Sequence, residues 1–258
     1  MNCFFSSVLS GEVRYHDLPG EQAPIVFIHG LGCAASYEYP RVAADPALRD
    51  HRIILIDLPG SGFSDKPASF SYTTSDQARV IIELLNHLAL PAFTLYGHSM
   101  GGSIAIEVAA MKPANLTTLL VSEPNFRAGG GSFSRIIAAQ DEIEFIAYGH
   151  DLLIEEDDTP WAGSMQMTLA QAAWRGASSL VNGITPCWLE IFTTLPMRCG
   201  LIVGECSPSD QDVDIVKAAG INLSVVARAG HAMSWENPQG LAAAIAAGCQ
   251  QSSFCPEN

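Results

Sequence analysis

Short apolar runs alternate with helix-patterned segments along most of the 258 residues, and this alternation restricts the fold more than any other feature. PIVFIHG (24–30), HRIILIDLPGSG (51–62), AFTLYG (92–97), LTTLLVSEP (116–124), MRCGLIVGE (197–205) and NLSVVARAG (222–230) are too continuously apolar for strands with one wet face. They predict strands covered on both sides, as in a parallel sheet. EVRYH (12–16) predicts an edge strand. Helical patterns fall between the runs. TTSDQARVIIELLNHLAL (73–90) opens with a capping-box-like Thr73 and Asp76, and Val80, Ile81, Leu84, Leu85 and Leu88 share one face. SMGGSIAIEVAAMK (99–112) stops at Pro113, and PQGLAAAIAAGC (238–249) starts on a proline, which suits a first turn. Strand–helix alternation of this kind argues for a doubly wound α/β sheet.

The alternation fails between Pro124 and Pro196, where helical periodicity continues and strand signals are few. The expected organisation is a core of residues 1–124 and 196–258, interrupted by a helical insertion at 125–195. That insertion holds Trp161, Met165 and Trp188, which are candidates for the wall of an apolar pocket.

Composition narrows the partners. The formal net charge of −14 repels phosphate backbones and anionic lipid surfaces, so nucleic acid is not an expected partner. No apolar run reaches the ~18 residues a spanning helix needs, so no membrane insertion is expected. None of the seven cysteines forms a C-x-x-C pair or stands at zinc-site spacing from a histidine, which predicts free thiols and no metal. The N-terminal MNCFFSSVLSGE lacks a basic region, and a cytoplasmic location is the expectation.

Gly97-His98-Ser99-Met100-Gly101 joins an apolar run to an alanine-rich helix. A sharp strand-to-helix turn forces the residue at its apex into strained backbone angles, and small residues two before and two after let the backbones approach. Ser99 is therefore the candidate nucleophile. A serine hydroxyl needs a base to take its proton, and His231, on the glycine-led loop AGHAMSWENP after the last run, is the candidate. The oxyanion formed on attack needs backbone donors. The N–H of Met100, directly after the nucleophile, and that of Leu31, in the HGLG loop, are the expected pair.

At this point the chain resembles the α/β-hydrolases over nearly its whole length. HGLGCAAS (29–36), DLPGSGFSDKP (57–67), GHSMGGSIAIEVA (97–109) and GHAMSWENP (230–238) stand in that family's order and spacing. The resemblance implies an eight-stranded, mostly parallel sheet with a lid after strand six. It also implies a Ser–acid–His triad that uses neither metal nor organic cofactor. Relatives with an Asp nucleophile are disfavoured by Ser99. One departure stands out. Family members often carry the acid after strand seven as Gly-x-x-Asp, whereas this chain has Gly204-Glu205-Cys206-Ser207. Glu123, at the end of strand six, is the favoured acid and Asp210 the alternative. The expected reaction is cleavage of a small or medium, apolar ester or lactone through an acyl-enzyme on Ser99. Hydrolysis of an amide or carbon–carbon bond, a lyase reaction, and a non-catalytic small-molecule receptor are the alternatives.

Overall fold

The computed structural model describes residues 1–208 and 210–250. Eight strands form one sheet: β1 (Asn2–Ser6), β2 (Gly11–Leu18), β3 (Gln22–Ile28), β4 (His51–Ile56), β5 (Phe93–His98), β6 (Leu116–Ser122), β7 (Arg198–Gly204) and β8 (Asn222–Val226). Their spatial order is β1-β2-β4-β3-β5-β6-β7-β8. β1 and β2 pair antiparallel, as do β2 and β4, and every other pair is parallel. All six residues of β5 are buried, as a strand covered on both faces requires.

EVRYH is not at the edge. β1 pairs along its outer side, with Phe4 opposite Val13. β1 went unread because it is a one-faced strand: Phe5 is exposed, and its short stretch never makes a continuous apolar run.

Apolar clusters lie on both faces of the sheet. One face buries Val26, Ile54, Leu95 and Val121 with the helices Thr74–Leu88 and Met100–Ala110. The other buries Phe27, Leu55, Tyr96 and Ile202 with the helix Pro238–Gln250. The first of these helices begins as its sequence suggests, with the Thr73 hydroxyl accepting from Asp76 N–H. It ends where Ala89 turns left-handed at φ 45°.

Residues 125–195 contain helices and no strand. Ile137, Phe145, Met165, Ala173 and Trp188 from this segment join the apolar cluster of the first face. The segment therefore packs onto the same face of the sheet as the helices Thr74–Leu88 and Met100–Ala110. Among the described residues, no helix is long and apolar enough to cross a membrane.

Candidate active site

Ser99 stands at the carboxyl end of β5 with φ 52° and ψ −123°. Such a backbone costs a non-glycine residue about 1–3 kcal/mol, so surrounding contacts must hold it. Its N–H donates to Ser122 O at 2.9 Å, and the helix Met100–Ala110 starts immediately after it. The flanking glycines are required by space. A Cβ on Gly97 would lie 2.3 Å from Gly101 O, and one on Gly101 would lie 2.3 Å from His29 O. The glycines let strand, turn and helix meet, and the turn holds the serine clear of them.

His98 and Ser122 are register partners on β5 and β6, so Ser99 and Glu123 follow at adjacent strand ends. Glu123 also has a positive φ, 41°. Its Oε1 accepts from Gly204 N–H at 2.9 Å, and its Oε2 lies 2.7 Å from His231 Nδ1. Burial pushes the Glu123 carboxyl up. Hydrogen bonds from His231 and the Gly204 amide outweigh that and bring it down to about 2. Ser207, which stands where the resemblance anticipates an aspartate, makes no hydrogen bond through its hydroxyl among the described residues.

His231 lies on the loop after β8. The loop is tied by Gly230 N–H, which donates to Glu236 Oε2 at 2.6 Å, and by Arg228 N–H, which donates to Glu205 Oε2 at 2.8 Å. With Nδ1–H directed to Glu123, Nε2 is left as the acceptor. The ring of His98 packs 4.7 Å from that of His231, centroid to centroid. Burial, aided by the nearby His231, brings His98 down to about 3, so it is a neutral backing surface. Its Nδ1 is 2.9 Å from Ser122 Oγ. Among the described residues no hydrogen bond joins the Ser99 hydroxyl to His231. Such bonds are often long before substrate is present.

The N–H groups of Leu31 and Met100 have no acceptor among the described residues. The Leu31 loop is held from above. Trp161 Nε1 donates to Leu31 O at 2.8 Å, and Phe133 stacks on the indole at 4.5 Å. Gly32 sits beneath with φ 68°, and a Cβ there would come within 2.7 Å of Met165 Sδ.

Two of the three suggested pocket residues do not serve as walls in this structure. Met165 and Trp188 have no exposed surface to offer a ligand. Met165 presses on the Leu31 loop. Trp188 packs against the helix Met100–Ala110 and donates its indole N–H to Glu107 Oε1 at 2.9 Å. Trp161 keeps some exposure. Asp210 is not brought to His231 either. It is the exposed N-cap of the helix Gln211–Ala218 and accepts from Asp212 N–H at 2.9 Å. The contacts that sequence reading missed are Gly204 N–H on Glu123, and the Ser234 hydroxyl on Glu38. These meet only through tertiary structure, and no local motif announces them.

The alpha/beta hydrolase family model matches residues 25–244, and the chain belongs to that family. It is 38% identical over 101 residues to the uncharacterized hydrolase YugF of Bacillus subtilis (strain 168), a match covering 39% of this chain and 36% of that protein. Against the dihydrolipoyllysine-residue acetyltransferase component of the acetoin cleaving system of Pseudomonas putida it is 32% identical over 111 residues, covering 42% of this chain and 28% of that one. The matched stretch thus spans about a third of the curated relatives' length. Among solved structures, the esterase EaEST from Exiguobacterium antarcticum has the same fold, with a TM-score of 0.81 at 18% identity over 96% of this chain and 98% of that one. The N-acyl homoserine lactonase AidH complexed with N-butanoyl homoserine superposes with a TM-score of 0.74 at 21% identity over the whole of both chains.

Proposed function

We propose that the chain is a serine hydrolase that opens a small or medium, largely apolar ester or lactone through an acyl-enzyme on Ser99. The observation that carries this reading is the Glu123–His231 contact of 2.7 Å beside a serine held at φ 52°. In this reading His231 Nε2 takes the Ser99 proton as the hydroxyl attacks the carbonyl. The Leu31 and Met100 amides receive the oxyanion. His231 then gives the proton to the departing alkoxide, and the same base activates the water that frees the acid. Glu123, whose carboxyl is down at about 2, stays ionised throughout and steadies the imidazolium without taking its proton. The segment 125–195 acts as the lid, and through Trp161 it holds the oxyanion loop. Solved proteins of this fold include an esterase, an N-acyl homoserine lactonase and an enol-lactonase, which makes esters and lactones the first substrates to try.

A panel of esters, lactones, amides and β-diketones, run against wild type and Ser99→Ala in parallel, tests the proposal. The expected result is turnover of at least one ester or lactone, lost to background in Ser99→Ala, with a fluorophosphonate adding its mass at Ser99. Undiminished turnover by Ser99→Ala would overturn it. So would tight retention of a ligand with no turnover, which is the receptor outcome.

A further inference from the structure

Three residues beyond His231, the Ser234 hydroxyl donates to Glu38 Oε1 at 2.9 Å. Glu38 ends the short helix Ala35–Glu38, which follows the Leu31 loop, and is only 2% exposed. Its Oε2 is buried with no hydrogen bond of good geometry. The titratable groups facing this carboxyl are the Cys33 thiol from the end of the Leu31 loop, Tyr39 beside it, Tyr96 on β5, and His231. Of these only His231 can carry a positive charge.

The fold does not need an acid at this position. A glutamine of the same shape would accept from Ser234 equally well, and burying an ionisable carboxyl without a basic partner opposes folding. What an acid adds is a negative charge that can appear one hydrogen bond from the histidine loop, at Ser234. It adds that charge at the point where the histidine loop and the oxyanion loop are fastened together.

Building on the serine-hydrolase reading above, we propose that Glu38 is a positioning residue for His231: through Ser234 it fastens the histidine loop to the oxyanion loop, and its ionised form favours the imidazolium. Burial pushes the Glu38 carboxyl up to about 7, against the opposing pull of Ser234, Cys33, His231 and Tyr39. Its charge therefore comes and goes across the ordinary assay range. At low pH the histidine loop is fastened to a neutral group, and above neutrality to a charged one.

The test has two arms. The first reads no activity. In protein labelled with carboxyl-13C glutamate, with the Glu38 signal assigned by its loss in Glu38→Gln, the carboxyl should titrate near 7. Its midpoint should move upward in His231→Gln, where the opposing positive charge is gone. The second arm compares kcat/KM of wild type and Glu38→Gln from pH 5 to 9. The ratio should be near unity at pH 5 and rise to about tenfold at pH 9, with KM unchanged, as one unit of coupling implies. A purely structural loss would lower the variant equally at every pH. A midpoint unmoved by His231→Gln, or a ratio that stays flat, would overturn the proposal. Because the first arm needs no substrate, it stands whether or not Ser99 proves to be the nucleophile.

Discussion

Two glutamates bond to the loop that carries His231, Glu123 at the imidazole itself and Glu38 at Ser234, and their surroundings drive them apart. Glu123 stands at the carboxyl end of β6, and Glu38 lies in the loop layer after β3. Burial raises both carboxyls, yet one comes down to about 2 and the other stays up at about 7. The difference is in the donors. Glu123 has the imidazole at 2.7 Å on one oxygen and the Gly204 amide at 2.9 Å on the other. Glu38 has one hydroxyl on Oε1, while its Oε2 is left bare. Burial alone therefore does not set the state of a carboxyl. Its hydrogen bonds decide whether it stays ionised or titrates in the ordinary range.

The most demanding test of that contrast is Glu123→Gln. The amide keeps the shape but cannot hold the charge, and it no longer fixes the imidazole tautomer. Turnover is expected to fall by about 10³- to 10⁴-fold with the fold intact, the scale seen when a triad acid is lost. Steady-state kcat at pH 8 on the best ester checks this. A fall below tenfold would mean that the Glu123–His231 contact is not what sustains the base.

Stability should separate the two groups in opposite directions. Glu38 is raised from an ordinary 4.5 to about 7, so the folded protein holds its proton while the unfolded chain has lost it. Its contribution is fully present below 4.5 and is lost as pH rises through 7, at roughly 3 kcal/mol by linkage. Glu123 is lowered from 4.5 to about 2, so its contribution is present above 4.5 and lost as pH falls through 2. Urea unfolding of wild type and Glu38→Gln at pH 4 and pH 8 measures the first effect. Wild type should lose roughly those 3 kcal/mol relative to the variant between the two conditions. Parallel stabilities at both pH values would break the contrast.

How far this region could be read in advance depended on the range of the interactions. The parallel core was legible because strands covered on both faces write their burial into consecutive residues, as in β5. The turn at Ser99 was legible because it is built within five residues, from Gly97 to Gly101. His231 and Glu123 could be proposed from chain order and their positions at strand ends. β1, with one exposed face, left no such run. Glu38 left no signal either: its partner Ser234 lies 196 residues away, and an acid beside an oxyanion loop looks like any surface charge until the fold buries it. Trp161, Met165 and Trp188 were equally ambiguous, because aromatic and thioether side chains pattern alike whether they face a ligand or each other. The structure resolves Met165 and Trp188 as packing.

The smallest expected effect belongs to Asp210, and its smallness is what makes it informative. Asp210 is a carboxyl in the loop after β7, three residues past Ser207. Its side chain is already committed to the N–H of Asp212 as a helix cap. Asparagine caps about as well as aspartate, so Asp210→Asn should leave stability within about 0.5 kcal/mol. It should leave kcat within twofold, because a charge on an exposed cap is screened by solvent before it reaches the imidazole. Set beside Glu123→Gln, the pair of variants measures the same change of acid to amide at a strand end and at a helix cap, one bonded to His231 and one not. A loss of a hundredfold or more in Asp210→Asn, with Glu123→Gln near wild type, would exchange the two roles. The β7 loop would then have to rearrange on substrate binding to bring its acid to the histidine.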